Sequence, residues 1–305
     1  TIFAESLEYD TAWVHDQFVW SREQNSHHIS SGSVEAVLPN QPPNFFESIT
    51  TLSYLAGITK EIRLGVAIVV LPLRNPVVLA KQLMNLDTVS NGRLLLGVGA
   101  GAPLVGKTFE VVGVPFNKRG EITDDYLKAI IAIFDQESST YDGKYAHFHS
   151  ADIFPKAVQK PHPPIIVGGL GRALRRAALL GEGWIPANIS AENVTKGVNK
   201  IHSIAHSTGR GNIDFAIGNE IFVSIDKDSN SARNNALATI SSYARSIGRG
   251  GEDVTLVGSV SEVIAKVERY IQSGVNLFEL KFIYKNMDSF FSQLKLFSQE
   301  VIPSF

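Results

Sequence analysis

A glycine-rich turn from Gly168 to Arg172 is the stretch of this sequence that is best suited to bind an anion. It follows an apolar run, 165–167, that predicts a buried strand, and it precedes 172–180, which consists of good helix formers. Glycines let the backbone turn sharply, and the first N–H groups of a helix have no partners within it. The pattern therefore suggests a phosphate site. An ordinary strand-to-helix turn is the alternative, because G-G-x-G differs from the Rossmann and P-loop spacings.

Two pairs of histidines are further candidates for chemistry. His202 and His206 lie one helical turn apart, but the glutamate of H-E-x-x-H and a third ligand are missing, so we expect no metal site. His27 and His28 lie in a polar stretch that follows a predicted strand. Loops of this kind often carry substrate-binding residues, so both histidines are candidates for substrate contact.

The composition limits the classes of protein to consider. The chain has 305 residues, 44% hydrophobic and 19% charged, with a net charge of −2. These values are typical of a globular protein with room for one large α/β domain or two smaller ones. The chain lacks cysteine, a basic excess and an apolar run of membrane-spanning length. No signal peptide is visible. We expect a cytoplasmic protein with a small-molecule substrate and with no nucleic-acid or membrane partner.

Strands and helices alternate along the chain. Apolar, β-branched runs predict strands at 11–16, 62–72, 93–101, 165–167, 183–187, 215–226 and 277–283. Helical patterns follow most of them, at 44–59, 76–92, 122–136, 172–180 and 190–209 and toward the C-terminus.

Such alternation predicts a parallel α/β sheet and, with about seven units, a (β/α)8 TIM-type barrel whose first strand is absent from the start of this chain. We expect one domain, 1–305. Its largest insertion, 137–164, contains the hairpin signal Asp142-Gly143.

Residues 64–120 carry an ordered motif, P-x-x-x-A-x-x-x-x-x-L-D-x-x-S-x-G-R followed by L-G-x-G-x-G. The matching positions are Pro76, Ala80, Leu86, Asp87, Ser90, Gly92, Arg93, Leu96, Gly97, Gly99 and Gly101. This motif resembles the bacterial luciferase-like family, which includes FMN-dependent monooxygenases and coenzyme F420-dependent reductases and dehydrogenases. The segments 9–18, 168–184 and 256–276 resemble other parts of the family, so the similarity spans nearly the whole chain.

The resemblance implies a cofactor at the carboxyl ends of the barrel strands, and it implies which residues contact that cofactor. The cofactor phosphate would lie on Gly168, Gly169, Leu170, Gly171 and Arg172. A non-prolyl cis peptide that supports the ring system in the family maps to Ala67–Ile68. Gly99, Ala100 and Gly101 would either let the cofactor approach closely or allow close packing at the barrel mouth. Family members also suggest a homodimer.

Asp16 and Gln17 are the candidate catalytic residues, because the family usually has Asp-His at this place. Asp16 matches, but glutamine replaces the histidine. Glutamine forms hydrogen bonds yet cannot transfer a proton at neutral pH. His15 faces the opposite side of a strand. Sugar-phosphate dehydrogenases of the family have glutamate where this chain has Ala102, so that activity is not expected. Asp87 and Arg93 are best explained as a structural ion pair or cap.

The resemblance favours an oxidoreductase that transfers a hydride between F420 or FMN and a small organic substrate, with F420 preferred. An FMN-dependent monooxygenase that uses oxygen is the first alternative. A non-catalytic relative that binds flavin is the second, since Gln17 departs from the family. Three arginines, Arg172, Arg175 and Arg176, could bind the FMN phosphate or the longer anionic tail of F420.

Overall fold

The computed structural model describes residues 1–20, 45–247 and 251–305. Within them the strands are β1 (Thr11–Val14), β2 (Arg63–Val70), β3 (Leu94–Gly99), β4 (Ser138–Asp142), β5 (His147–Asp152), β6 (Ile165–Gly168), β7 (Gly183–Ile185), β8 (Ala216–Asp226), β9 (Leu256–Ser259) and β10 (Leu277–Phe282).

The helices among the same residues are α1 (Ile2–Ser6), α2 (Ser48–Ile58), α3 (Pro76–Val89), α4 (Gly106–Val112), α5 (Arg119–Asp135), α6 (Arg172–Leu180), α7 (Ala191–Ser207), α8 (Ser229–Ile247), α9 (Val260–Gln272) and α10 (Met287–Glu300). Short 3-10 turns lie at Leu71–Leu73, Pro103–Val105, Phe116–Lys118, Glu252–Val254 and Ile302–Ser304.

The described residues form two compact units. The first comprises residues 1–5, 9–20 and 45–183, and the second comprises 6–8, 184–247 and 251–305. In the first unit, β1, β2, β3 and β6 are neighbours in this order and pair in parallel, while β4 and β5 form an antiparallel hairpin. The pairing of β2 with β3 shifts register between Val66 and Val69. The side chains of β3 are buried throughout, as expected for a strand covered on both faces.

In the second unit, β8 pairs in parallel with both β9 and β10. Its early residues, from Gly218 to Val223, lie beside β10, and its last residues, from Val223 to Asp226, lie beside β9. Trp184 of β7 is 1% exposed and belongs to the largest buried side chains of the chain. The Tyr270 hydroxyl of α9 donates a hydrogen bond of 2.9 Å to the carbonyl of Ile189.

Local sequence signals explain where α3 begins and ends. The Asn75 side chain accepts hydrogen bonds from the N–H groups of Val77 and Val78, and Pro76 occupies the first helical position. Gly92 follows the helix with φ of +77°, a conformation that suits glycine. This helix matches its predicted bounds closely.

The strand–helix alternation is confirmed, and an observed strand overlaps each predicted one, with β6 one residue longer than the predicted 165–167. The predicted strands do not include β9, because 256–276 resembles a helical part of the family. That a first strand is absent from the start of this chain stays a prediction. In the first unit the Thr11–Asp16 strand prediction was two residues too long, since β1 ends at Val14. That the chain forms one domain stays a prediction.

The predicted hairpin in the 137–164 insertion is present, and Asp125 of α5 holds its turn. The Asp125 carboxylate accepts hydrogen bonds from the backbone N–H groups of Lys144, Tyr145 and Ala146 and from the Tyr141 hydroxyl. Burial raises the pKa of this carboxyl, but these bonds outweigh burial and lower the pKa below its usual value. Asp125 therefore acts as an anchor for the insertion.

Among the described helices, none combines the length and the apolar character that a membrane span requires.

Candidate cofactor site

The glycine turn lies between β6 and α6, as predicted. Gly169 has φ of +107°, and Gly171, the N-cap of α6, has φ of +62° without a side-chain cap. A Cβ at Gly171 would meet nothing within 4 Å, and one at Gly169 would meet only the Cβ of Ala173, at 3.6 Å. The outer side of the turn is thus open space at the start of a helix, where backbone N–H groups favour an anion.

The three arginines of α6 have different surroundings. Arg172 and Arg175 are exposed, beside the glycine turn and one turn further along the helix. Arg176 is 6% exposed, and its Nε lies 2.6 Å from a carboxylate oxygen of Asp124. Arg176 also donates to the carbonyl of Gly120 at 3.3 Å. Arg176 therefore joins α6 to α5. The exposed Arg172 and Arg175 remain as candidates for contact with an anion.

The predicted non-prolyl cis peptide between Ala67 and Ile68 is confirmed. It lies within the register shift of β2 against β3. Ile68 is partly exposed, although its neighbours Ala67 and Val69 are 8% and 0% exposed. Ile68 thus presents a side chain near the carboxyl end of β2, where the last residues of β3 and β6 also lie.

Glycines of β3 and β6 surround Ile68. A Cβ at Gly99 would lie 2.4 Å from the Cδ1 atom of Ile68, and a Cβ at Gly168 would lie 2.6 Å from its Cγ2 atom. A Cβ at Gly97 would lie 2.0 Å from the carbonyl oxygen of Val66 and 3.3 Å from Ile68 Cγ2. Real Cβ atoms do not come so close, so a side chain at any of the three positions would require Ile68 or the Val66 carbonyl to move. This favours the packing alternative at these positions.

Gly101 lies two residues after the end of β3 and has φ of +83°. A Cβ there would lie 2.9 Å from the Phe109 ring and 2.9 Å from the Val70 side chain. Its carbonyl accepts a hydrogen bond of 3.1 Å from Arg119. Packing and backbone conformation together account for glycine at this position.

Asp16 lies in a buried polar cluster at the carboxyl ends of β1 and β2. Its side chain is 1% exposed, and Oδ1 lies 2.5 Å from Nη2 of Arg74. The Ser48 hydroxyl donates to Oδ1 at 2.8 Å, and the Val70 N–H donates to Oδ2 at 3.2 Å. Arg74 also lies 2.7 Å from Oε1 of Glu47. Through these contacts Asp16 joins the end of β1 to the end of β2, to Ser48 at the start of α2 and to Arg74. Its sequence context did not reveal these partners.

Glu47 links this cluster to the start of α2. As the N-cap, it accepts hydrogen bonds from the N–H groups of Ile49 and Thr50. Burial raises the pKa of Glu47, but hydrogen bonds from Thr50, Arg74 and Ile49 outweigh it and hold the pKa at about 2. Glu47 is therefore ionised at neutral pH, which fits its contact with Arg74.

Gln17 follows Asp16, is half-buried, and donates a hydrogen bond of 2.5 Å from Nε2 to the carbonyl of Val19. The same carbonyl accepts a longer bond, 3.4 Å, from the Thr108 hydroxyl. Gln17 thus holds the backbone that follows β1. The candidate substrate residues His27 and His28 lie outside the described residues.

Other motif residues have structural partners. Asp87, fully buried, accepts hydrogen bonds from the N–H groups of Val158 and Gln159 and from the Gln159 side chain. Arg93 donates to backbone carbonyls, including those of Ala56 and Ile62. These contacts support a structural role for both residues. In these hydrogen bonds Asp87 and Arg93 contact the residues just named, rather than each other. His202 packs edge-to-face against the Phe215 ring.

Sequence reasoning missed a pair of carboxylates in the second unit. Glu220 of β8 and Glu279 of β10 are directly paired across the two strands. Glu279 is 5% exposed, and Lys281 lies 3.6 Å from a carboxylate oxygen of Glu220. Burial, and then the charge of Glu220, raise the pKa of Glu279 well above its usual value. An acidic residue in the middle of each mainly apolar strand was the available signal.

We expect Glu279→Gln to stabilise the protein increasingly as the pH rises above about 4.5. A raised carboxyl pKa means that the folded state binds the proton more tightly than the unfolded state does. The stability that this proton provides is complete below the unfolded pKa and is lost as the pH rises toward the folded pKa. Glutamine keeps a neutral side chain at every pH.

Melting temperatures of both proteins between pH 4 and 8 would test this expectation. Glu110→Gln, at an exposed carboxylate of α4, is the control and should show no such widening gap. A gap that stays constant with pH would contradict the raised pKa of Glu279.

Comparison with known proteins assigns this α/β chain of parallel strand–helix units to a family. The family described as luciferase-like monooxygenase matches residues 3–277. The chain therefore belongs to the luciferase-like monooxygenase family.

Individual relatives and structures agree with this family. An uncharacterised protein of Mycobacterium tuberculosis is 30% identical over 213 residues, which cover 68% of this chain and 73% of that protein. The FMNH(2)-dependent dimethylsulfone monooxygenase of Pseudomonas putida is 28% identical, over 72% of this chain and 60% of the enzyme. The coenzyme F420-dependent tetrahydromethanopterin reductase of Methanopyrus kandleri superposes with a TM-score of 0.76 at 22% identity, over 99% of this chain and 93% of the reductase. This likeness confirms the predicted fold class, luciferase-like and of TIM-barrel type.

Proposed function

We propose that this protein is an oxidoreductase that transfers a hydride between a bound deazaflavin or flavin and a small organic substrate. The observation that carries the proposal is the position of two features in the first unit. The open glycine turn after β6 and the partly exposed Ile68 of β2 both lie where parallel strands end. Barrel enzymes bind their ligands at this end of the strands.

The residues present fit such a cofactor. Backbone N–H groups of the 168–172 turn would bind its phosphate, with Arg172 and Arg175 adding positive charge. Ile68 would support one face of its ring system. When bound, the cofactor supplies the ring atom that accepts or donates the hydride. The chain would orient that ring and hold the backbone around it, through Gln17 and the Asp16–Arg74 pair.

We favour F420 over FMN as the cofactor. Two exposed arginines on α6 suit an anionic tail that extends beyond one phosphate, and the fold is shared with an F420-dependent reductase. An FMN-dependent monooxygenase is the alternative, supported by the similarity to the dimethylsulfone monooxygenase. The homodimer and the cytoplasmic location stay predictions from family resemblance and from composition.

Titration of the purified protein with FMN and with F420, followed by cofactor fluorescence and absorbance, tests the proposal. Tighter binding of F420 is the expected result. Tighter binding of FMN, together with oxygen uptake on reduction, would favour the monooxygenase. Binding without turnover across substrate screens would favour a non-catalytic relative, and no binding of either cofactor would contradict the proposal.

Gly169→Val should weaken binding of the preferred cofactor by about tenfold or more, because a branched side chain would fill the open side of the turn. Gly209→Val is the matched control. Gly209 also has positive φ, of +79°, and a Cβ there would meet nothing within 4 Å. Both variants strain the backbone similarly. Equal cofactor affinity in the two variants would argue against the site.

Gln17→Ala should lower turnover by less than the factor of about 10² to 10⁴ that a general acid typically contributes. The reason is that Gln17 holds the Val19 carbonyl rather than transferring a proton. Gln17→His should introduce a pH dependence near 6.5. Turnover can be followed through the cofactor absorbance. A Gln17→Ala protein that binds cofactor but has no measurable turnover would contradict the positioning role.

A further inference from the structure

The glycines around Ile68 form a socket, which we define as Gly97, Gly99 and Gly168. They come from two strands, β3 and β6. The Ile68 side chain of β2 occupies the space that side chains at Gly99 and Gly168 would need, and the Val66 carbonyl of β2 occupies the space at Gly97. Each glycine faces a different part of Ile68 or of the backbone before it. Gly99 faces Cδ1, Gly168 faces Cγ2, and Gly97 faces the Val66 carbonyl and then Cγ2.

Such a socket restricts the Ile68 side chain. A β-branched residue has few χ1 rotamers, and close backbone on two sides restricts them further. The side chain also packs against the cluster of Val70, Leu73 and Phe109, and it is only partly buried, so part of its surface is exposed. A ligand phosphate on the turn that begins at Gly168 would place the rest of that ligand near this surface.

We propose that Gly97, Gly99 and Gly168 are positioning residues, which fix the Ile68 side chain so that it sets the position of the cofactor ring. This inference rests on the proposed function. It gives Gly99 and Gly168 an action through Ile68, and for Gly168 this action is in addition to its place in the phosphate turn. The socket predicts which substitutions at residue 68 compensate which glycine variants, because a Cβ at Gly99 would approach Cδ1 of Ile68 and a Cβ at Gly168 would approach Cγ2.

The test is a set of double-mutant cycles between residue 68 and the socket. Gly99→Ala should weaken binding of FMN or F420, whichever the wild type binds, by about tenfold, because its Cβ displaces Cδ1. Valine lacks Cδ1 but keeps Cγ2. Ile68→Val should therefore restore affinity in the Gly99→Ala background to within about threefold of Ile68→Val alone. It should not restore affinity in the Gly168→Ala background, whereas Ile68→Ala should.

A spectroscopic signature separates positioning from folding. The absorbance maximum of the bound cofactor should shift in Gly99→Ala and return in the double variant, while an effect on folding alone would change only the melting temperature. Gly120→Ala is the matched control, since a Cβ there meets nothing within 4 Å. If Gly99→Ala does not fold, Ile68→Ala alone serves as the variant. It empties the socket and should shift the absorbance maximum and weaken binding.

The outcomes are distinguishable. If the wild type binds neither cofactor, the proposed function fails and the positioning role fails with it. If the wild type binds a cofactor but Ile68→Val restores both glycine variants or neither, the socket proposal is overturned and the proposed function stands. Unchanged affinity and spectrum in Ile68→Ala would also overturn the socket proposal.

Discussion

Replacing Arg74 with methionine should lower the free energy of unfolding by about 3 to 5 kcal/mol, the range found when one partner of a buried ion pair is removed. Asp16, whose side chain is 1% exposed, would lose its charged partner and keep only the hydrogen bonds from Ser48 and Val70. Glu47 would lose the same guanidinium. Two carboxylates would then lie close together without a neighbouring positive charge. Denaturant unfolding at pH 7 measures the loss.

Two further variants make this result specific. Asp16→Asn in the Arg74→Met background should recover part of the loss, because a neutral amide is less costly to bury than an unpaired carboxylate. Arg63→Met, at the first residue of β2, removes an ion pair with Asp10 whose side chains are 43% and 63% exposed, and it should cost about 1 kcal/mol or less. Equal losses for Arg74→Met and Arg63→Met would contradict a buried structural pair.

Gly97→Ala should be among the most destabilising single-methyl additions in the first unit, at about 3 kcal/mol or more. The new Cβ would lie 2.0 Å from the Val66 carbonyl oxygen. A side chain could rotate away from such a contact, but a backbone carbonyl inside a parallel sheet cannot. β2 would have to move away from β3 beside their register shift, and the ladder hydrogen bonds there would lengthen.

Gly106→Ala is the control for Gly97→Ala. Gly106 begins α4, a Cβ there would meet nothing within 4 Å, and alanine favours the helix. Its melting temperature should equal or exceed that of the wild type. A Gly97→Ala protein that melts within a few degrees of Gly106→Ala would show that β2 and β3 adjust more easily than the geometry indicates.

Hydrophobic patterns and helix-capping residues predicted most of the strands and helices. Strands such as β2 and β3 are continuous apolar runs, and α3 has both an N-cap and a terminal glycine. β9 was missed because four residues, Leu256 to Ser259, carry too few positions for a pattern. They also lead without a break into the capping box of α9. Short strands are determined by their neighbours in the sheet, and a linear sequence does not show those neighbours.

Candidate site residues were predictable where the backbone determines the role, as in the 168–172 turn. They were less predictable where a side chain has distant partners. The motif placed Asp16 near the chemistry, but its contact with Arg74 spans 58 residues, and no spacing rule connects the two. Arg176 appeared equivalent to Arg172 in sequence, whereas the fold turns it toward Asp124.

The socket around Ile68 also has an evolutionary consequence. Residue 68 and the glycines at 99 and 168 share one volume, so a change at one of them alters what the others tolerate. A lineage in which residue 68 shrinks to alanine would be free to acquire a side chain at 99 or 168. A lineage that keeps isoleucine would lose any such side chain to selection. These three positions should therefore change together among relatives, although the first and the last lie 100 positions apart.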